Sequence, residues 1–267
     1  MRYSNLHTHT SFSDGLHTVE ENILSAIEKN MVSLGISDHS YTSFDLRYCM
    51  RPVNIPAYIR EVRRLQQKYA DKIEIYLGLE YDGYTKLENR ELYDYVIGDC
   101  HYIKIGNDYF SVDHKKEEQK EVMVKYFGDD SLAYAKAYYD TYVSRIKEIK
   151  PDVLGHFDLL TKYNQIDEHS DAYKKLATDA LIACLETTPV IELNTGAICK
   201  KLRTEPYPVS MLLKETVNHG GKILLSSDSH DKANLTFHFD ESVQLLKSIG
   251  CKSIVMLKGG RFEEVGL

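Results

Sequence analysis

Short apolar runs alternate with longer segments of helical periodicity along nearly the whole chain, and this alternation limits the fold more than any other feature. The runs "VSLGIS" (32–37), "IEIYLGL" (73–79), "YDYVIG" (93–98), "DVLG" (152–155), "PVIEL" (189–193) and "KILLSS" (222–227) read as strands bounded by Gly, Asp, Ser or Pro. "RYSNL" (2–6) is a first strand and "SIVML" (253–257) a further candidate. Between them, "TVEENILSAIEKN" (18–30) predicts a helix. Thr18 caps it, Glu21 stands three residues on, and Ile23, Leu24, Ala26 and Ile27 form its apolar stripe. Residues 56–70, 171–186, 210–220 and 240–250 repeat the pattern, the last two ending on Gly. Strand alternating with helix predicts a largely parallel sheet. With no break in composition, one closed barrel over residues 1–267 is favoured over two open sheets.

Residues 101–150 depart from the pattern. They are rich in Tyr and Lys and read as two helices with a loop around "IGNDYFSVDHKKEEQ", an insertion over one barrel mouth.

Composition excludes several classes. No apolar run approaches the roughly 18 residues that span a bilayer, and the N-terminus has no basic-then-apolar leader. A cytoplasmic protein is expected. The five cysteines are scattered and odd in number, which speaks for free thiols and against a disulfide framework or a thiolate zinc site. A net charge of -7 disfavours a general nucleic-acid coat.

The residues that follow the strands carry the chemistry. His7 and His9 follow the first run, Asp38 and His39 the second, Glu80 the third and His101 the fourth. His156 and Asp158 follow the fifth, Glu192 and Asn194 close the sixth, and Asp228 and His230 follow the seventh. In a parallel α/β barrel these strand ends meet at one face, where the active site is built. His7/His9 and Asp228/His230 are spaced two apart, which puts both members of each pair on one side of an extended strand. A single His after a strand is an ordinary loop residue. Six of the eleven histidines at such ends, among carboxylates, form a metal site by their chemistry.

The segments "HTHTSFSDG", "SDHS", "GLEYD", "CHYI", "GHFD" and "SDSH", in this order over residues 7–230, resemble the PHP family (polymerase and histidinol phosphatase domain). "YFSVDH", "GHFDLLTKYN", "ELNTGAICKKLRTEPYP" and "LLSSDSH" resemble its free-standing histidinol-phosphatases rather than the polymerase-attached domains. The resemblance implies a distorted seven-stranded (β/α) barrel with up to three divalent ions (Zn, Mn or Fe) at the C-terminal strand ends. Carried over, His7, His9, Glu80 and Asp228 hold one ion, and Glu80 bridges to a second held by His101 and His156. Asp14, His39 and His230 hold a third, with His17 near enough to compete for the place of Asp14. Lys162 and Arg203 stand where phosphate-binding arginines are expected, with Lys200 and Lys201 as substitutes. A lysine at 162 meets a phosphate as a point charge rather than a bidentate fork.

The reaction this implies is metal-assisted attack of water on the phosphorus of a phosphate monoester, L-histidinol phosphate, in histidine biosynthesis. Asp228, His230 and the more remote His17 are the candidate catalytic acids. No Ser or Cys sits beside a base, so no covalent intermediate is expected. Tyr109, Phe110, Asp113 and His114 are the nearest source of a wall for the organic half of a small substrate. Alternatives are a phosphoesterase for another monoester or a nucleotide, a trimming nuclease, and a non-catalytic metal module with closed coordination shells. An amide or lactone hydrolase on a similar barrel would show a different histidine order.

Overall fold

The computed structural model describes residues 1–267. The first half runs β1 (Ser4–Asn5), α1 (Val19–Glu28), β2 (Ser33–Ile36), α2 (Ile55–Lys68), β3 (Glu74–Leu77), β4 (Glu80–Tyr81), β5 (Ile97–Gly98), β6 (Tyr102–Ile105) and β7 (Asp108–Ser111). It continues with α3 (Lys116–Phe127), α4 (Ser131–Ile149), β8 (Val153–Leu154), α5 (Asp171–Leu185), β9 (Val190–Asn194) and α6 (Gly196–Cys199). Then follow α7 (Ser210–Asn218), β10 (Lys222–Ser226), α8 (Phe239–Ser248), β11 (Ser253–Lys258) and β12 (Arg261–Gly266).

The strands form two parallel sheets, ordered β1-β2-β3 and β10-β9-β8-β5-β4. Two parallel bridges link the sheets: Thr8 to Ser229 joins the ends of β1 and β10, and His39, just past β2, pairs with Glu80 of β4 and so continues the β2–β3 pairing into the second sheet. Helix α1 starts as the sequence predicts: Thr18 accepts from the Glu21 amide, and the Glu21 carboxylate accepts from the Thr18 amide. Such a cap is worth about 1 kcal/mol.

Several strands are shorter than their apolar runs, because carboxylates take ladder positions. The Leu77 amide donates to Asp94 Oδ2 at 2.7 Å and the Val96 amide to Asp152 Oδ2 at 2.7 Å. Two expectations change. The loop predicted around residues 105–119 is largely the antiparallel hairpin β6–β7, turning at Gly106 (φ 63°) and Asn107, followed directly by α3. A Gly-Asn pair between apolar residues is a hairpin signal, hidden here by the surrounding Lys and Asp. The strand at 253–258 stands outside the parallel sheets and pairs antiparallel with β12.

Twenty tyrosines without a tryptophan have a structural use. Where strands break, carbonyls lose their ladder partners, and buried phenols supply donors. Tyr58 donates to the Gly78 carbonyl, Tyr95 to Leu6 and Tyr142 to Gly155; the Ile36 and Gly98 carbonyls, also within reach of Tyr58 and Tyr142, already accept from the Gly78 and Gly155 amides. Gly35 and Gly78 leave the space: a Cβ at either would run into the Tyr95 ring. Each phenol satisfies an acceptor that would be costly to bury alone.

Candidate active site and metal centre

The C-terminal strand ends of both sheets converge. Four overlapping groups have ligand atoms within 4.8 Å of one another: His9/Asp14/His39/His230, His7/Glu80/His156, His7/His9/Asp228 and His39/Glu80/His101. Glu80 is the hub. His7 Nε2 lies 3.2 Å and His156 Nε2 2.9 Å from its Oε1, with His101 Nε2 at 3.6 Å, while His9 and His39 face Oε2. Asp14 turns toward the group, with Oδ2 3.3 Å from His230 Nε2 and Oδ1 3.7 Å from His39 Nε2. His9 also reaches Asp14, with Nδ1 3.9 Å from Oδ1, so it joins the outer set as well as the one implied for it.

Three histidines are held from behind. Nδ1 of His7 meets Glu192 at 2.9 Å, Nδ1 of His101 meets Asp82 at 2.9 Å, and Nδ1 of His156 lies 3.2 Å from Asp99. A carboxylate on one ring nitrogen fixes the tautomer and leaves the other nitrogen's lone pair facing inward, the arrangement of a metal-ligating histidine. These braces were missed as such from the sequence. The signal was present in the two-residue spacing of Glu80/Asp82 and Asp99/His101, whereas Glu192 has no ligand two residues away. Gly155 makes room for one of them, since a Cβ there would strike the Asp99 carboxylate. Asp38 shapes the loop that presents Asp14, accepting from the Thr10 and Ser13 amides at 2.8 and 3.2 Å. Asp228 sits at φ 47°, a left-handed conformation that costs a non-glycine residue energy and is retained at functional sites.

The donor set fits divalent ions. His7 Nε2, His9 Nδ1, His39 Nδ1 and Glu80 Oε2 are buried with no hydrogen-bond partner, although such atoms are normally satisfied. Burial would lower His7, but Glu192, Glu80 and Asp228 outweigh it and hold its pKa well above the usual value. Burial likewise opposes the rise of His156, which Asp99 and Glu80 lift to about 9. His9 goes the other way, down to about 3, through burial and its neighbours His230 and His39. The site thus concentrates negative potential around mostly buried imidazoles, and cations relieve it.

The cluster opens into a cavity of about 250 Å³ whose wall includes Asp14, His39, His101, Asp228 and His230, together with Lys162, Lys200, Arg47, Asp113 and His114. Two predicted residues lie elsewhere. Arg203 is buried and spends its guanidinium on the Thr161 carbonyl (2.7 Å) and Glu168 (2.9 Å), with its plane over Tyr207, so it does not reach the cavity. His17 is turned to Asp231 (3.1 Å) and Glu21 and is absent from the cluster. Lys162 lines the cavity with its Nζ on Asp113 at 2.8 Å. Lys200 also lines it. Burial would raise Asp228, and His7 and Lys200 overcome it to keep that carboxyl ionised. Arg47, which the sequence did not single out, comes from the segment before α2 and donates to Asp45 and His114. Nothing in its local pattern marks it, because the fold alone brings it to the cavity.

Residues 5–196 match the PHP domain. The chain belongs to the PHP family. Among PHP relatives, it is 26% identical to the "Probable histidinol-phosphatase" of Deinococcus radiodurans, over 93% of this chain and 94% of that one. It is 22% identical to the histidinol-phosphatase of Lactococcus lactis subsp. lactis, over 99% and 97% of the two chains. The crystal structure of histidinol phosphate phosphatase from the same organism, complexed with zinc, L-histidinol and phosphate, superimposes with a TM-score of 0.73 at 20% identity. That match covers 98% of this chain and 99% of the other. The PHP fold is therefore shared end to end.

Proposed function

We propose that the protein hydrolyses L-histidinol phosphate to L-histidinol and phosphate, the reaction expected in histidine biosynthesis, using divalent ions held at the strand ends. The observation that carries this is the braced cage of six histidines and three carboxylates opening on a lysine-lined cavity. The full-length match to histidinol-phosphatases supports the choice of substrate.

Three ions are the number the donor set favours. By the family's pattern His7, His9, Glu80 and Asp228 would hold one, Glu80, His101 and His156 a second, and Asp14, His39 and His230, with His9 beside them, a third; the geometry supports the third set as it stands, while Glu80 groups with His7 and His156 and, separately, with His39 and His101. Zinc and iron suit the imidazoles of such a set, and its carboxylates would suit manganese. Such ions would supply Lewis acidity toward the phosphoryl oxygens and lower the pKa of water. The residues of the chain do the rest. Lys200 and Lys162 face the phosphoryl group across the cavity, Lys200 taking the part that the sequence assigned to Arg203. Asp228 lies deep against His7 and His9, placed to take the proton of the attacking water. His230 lies at the mouth; with Nδ1 committed to the Asp228 carbonyl, its Nε2 would serve either as a ligand of the outer ion or, where that place is empty, as the proton donor to the leaving oxygen of the alcohol. Arg47 and Asp113 border the space left for the organic half.

The two parallel sheets are best read as one seven-stranded barrel in which β3 and β4 count as a single strand. The Thr8–Ser229 and His39–Glu80 bridges support that reading. The hairpin β6–β7 with α3 then forms the insertion at the mouth, while α4, whose Tyr134, Tyr138 and Tyr142 are buried, belongs to the frame. Five free cysteines support a reducing compartment, the cytoplasm. No helix is long and apolar enough to cross a membrane.

Purified protein loaded with Zn, Mn or Fe should release phosphate from L-histidinol phosphate faster than from a panel of other monoesters. Failure with every metal, while the ions still bind, overturns the substrate assignment.

A further inference from the structure

The metal-lined cavity does not end at its polar walls. A second chamber of about 400 Å³ adjoins it across Asp45, Arg47, Tyr102 and Ser111, which line both. None of the cluster's ligands lines this chamber, so it lies beyond the shared wall. Phe44, Tyr109, Phe110 and Tyr126 supply its rings, and Phe44 and Tyr126 stay 40% and 37% exposed.

The charge of the lining is negative: Asp45, Glu118 and Glu121 stand against Arg47 and Lys125. Asp45 is answered by Arg47, and Glu118 by His114 and by Lys115 from outside the wall. Glu121, exposed on α3, forms no ion pair. The rings already draw ammonium groups of the chain itself. Lys125 Nζ lies 4.8 Å from the centre of Tyr126, and Lys104 Nζ lies 5.5 Å from that of Tyr109. Phe44, stacked on Tyr109 at 4.1 Å, has no such partner. Ring faces attract cations through their quadrupole, and an unpaired carboxylate on the same wall adds to the attraction. Phe44 and Glu121 are thus the places left for an ammonium that the chain does not supply.

We propose that this chamber is a distal ammonium subsite, and that the protein also hydrolyses phosphate monoesters of amino alcohols whose ammonium stands several carbons beyond the ester oxygen. The proposal rests on the phosphatase reading above and widens its substrate class. With the phosphoryl group at the cluster, a short organic half ends beside Arg47 and Asp113 in the first cavity. A longer chain passes Tyr102 and Ser111 and brings its ammonium to Phe44 and Glu121. Water adds to phosphorus, the P–O bond to the alcohol breaks, and the proton lost by water ends on the departing oxygen, giving the amino alcohol and inorganic phosphate. The ammonium takes no part in these steps. It is held equally in the ground and transition states, so it raises kcat/KM by lowering KM.

The test uses two matched pairs of esters on zinc-loaded protein at low salt: 6-aminohexyl against hexyl phosphate, and 2-aminoethyl against ethyl phosphate. L-histidinol phosphate is assayed alongside. The value of kcat/KM for 6-aminohexyl phosphate should exceed that for hexyl phosphate about fivefold to tenfold, carried by KM. Glu121→Gln and, separately, Phe44→Leu should each cut this ratio to about twofold. Neither should move the ratio of the short pair, whose ammonium cannot reach the chamber, or the turnover of L-histidinol phosphate. A long-pair ratio near one, a long-pair ratio that either substitution leaves unmoved, or an equal shift in the short pair overturns the proposal. The expected selectivity without any turnover of L-histidinol phosphate upholds the chamber and removes the histidinol assignment instead. Turnover of L-histidinol phosphate with a flat long-pair ratio does the opposite, and hydrolysis of none of the esters overturns both.

Discussion

The inner and outer parts of the histidine cluster are built to different standards. Inside, His7, His101 and His156 are buried, and each has a carboxylate behind its Nδ1. Outside, Asp14 and His230 keep 31% and 22% of their side chains exposed. Asp14 has only Ser13, at 3.4 Å, as a hydrogen-bond partner, and His230 leans on the backbone carbonyl of Asp228 at 3.0 Å. The inner positions are fixed before any ion arrives, whereas the outer ones keep freedom that binding must remove. Preorganised ligands hold ions more tightly because less ordering is left to be done. The contrast teaches that one cluster can contain a permanent part and an exchangeable part.

The sharpest way to break this contrast is at the hub. Glu80→Ala should empty the inner part and lower turnover on the order of 10³-fold, read by metal analysis together with phosphate release. Retention of two ions would show that Glu80 bridges nothing. Next come the braces. Asp99→Asn and Gly155→Ala, which pushes on the same carboxylate from the other side, should each cost about 10–100-fold in metal affinity and turnover. If only one of the pair has this effect, the coupling through His156 is wrong.

Lys200→Met should raise KM for the phosphate ester by about tenfold with a smaller change in kcat, the loss of one charge-assisted contact. Asp14→Asn should lower turnover by only about threefold to tenfold, and a chelator titration should then remove the outer ion at a lower dose than in the native protein. Equal loss of all ions would erase the distinction between the two parts. The smallest kinetic effect is expected from Arg203→Met. It breaks a buried pair with Glu168 and should cost about 3 kcal/mol of stability in urea melts, while KM stays within twofold.

The sequence carried the parts of this architecture that repeat locally. The capped helix at Thr18 and the parallel strand–helix alternation follow from residue type and spacing alone, and both are present. The gathering of His7, His39, Glu80, His101, His156 and His230 was legible because each follows an apolar run, and strand ends in a parallel sheet share a face. What local pattern could not carry was direction. Arg203 and Lys200 lie on the same short segment, yet only Lys200 faces the cavity, since Arg203 is captured by Glu168 from a loop 35 residues earlier. His17 is similarly captured by Asp231, 214 positions away. The braces Asp82 and Asp99 needed one more step, recognising that an acid two residues from a ligand shares its face and can support a neighbour's ring. Arg47 had no local signal, because its place follows only from how the segment before α2 is laid across the mouth.

The phenols that close the gaps in the sheets have one more consequence. Tyr58, Tyr95 and Tyr142 are tied to carbonyls of the very strands that end in His7, Glu80, His101 and His156. Scaffold and reactive face therefore share anchors. Trimming a single one of these hydroxyls leaves a buried strand carbonyl unpaired, so a lower melting temperature and a weaker grip on metal should appear together.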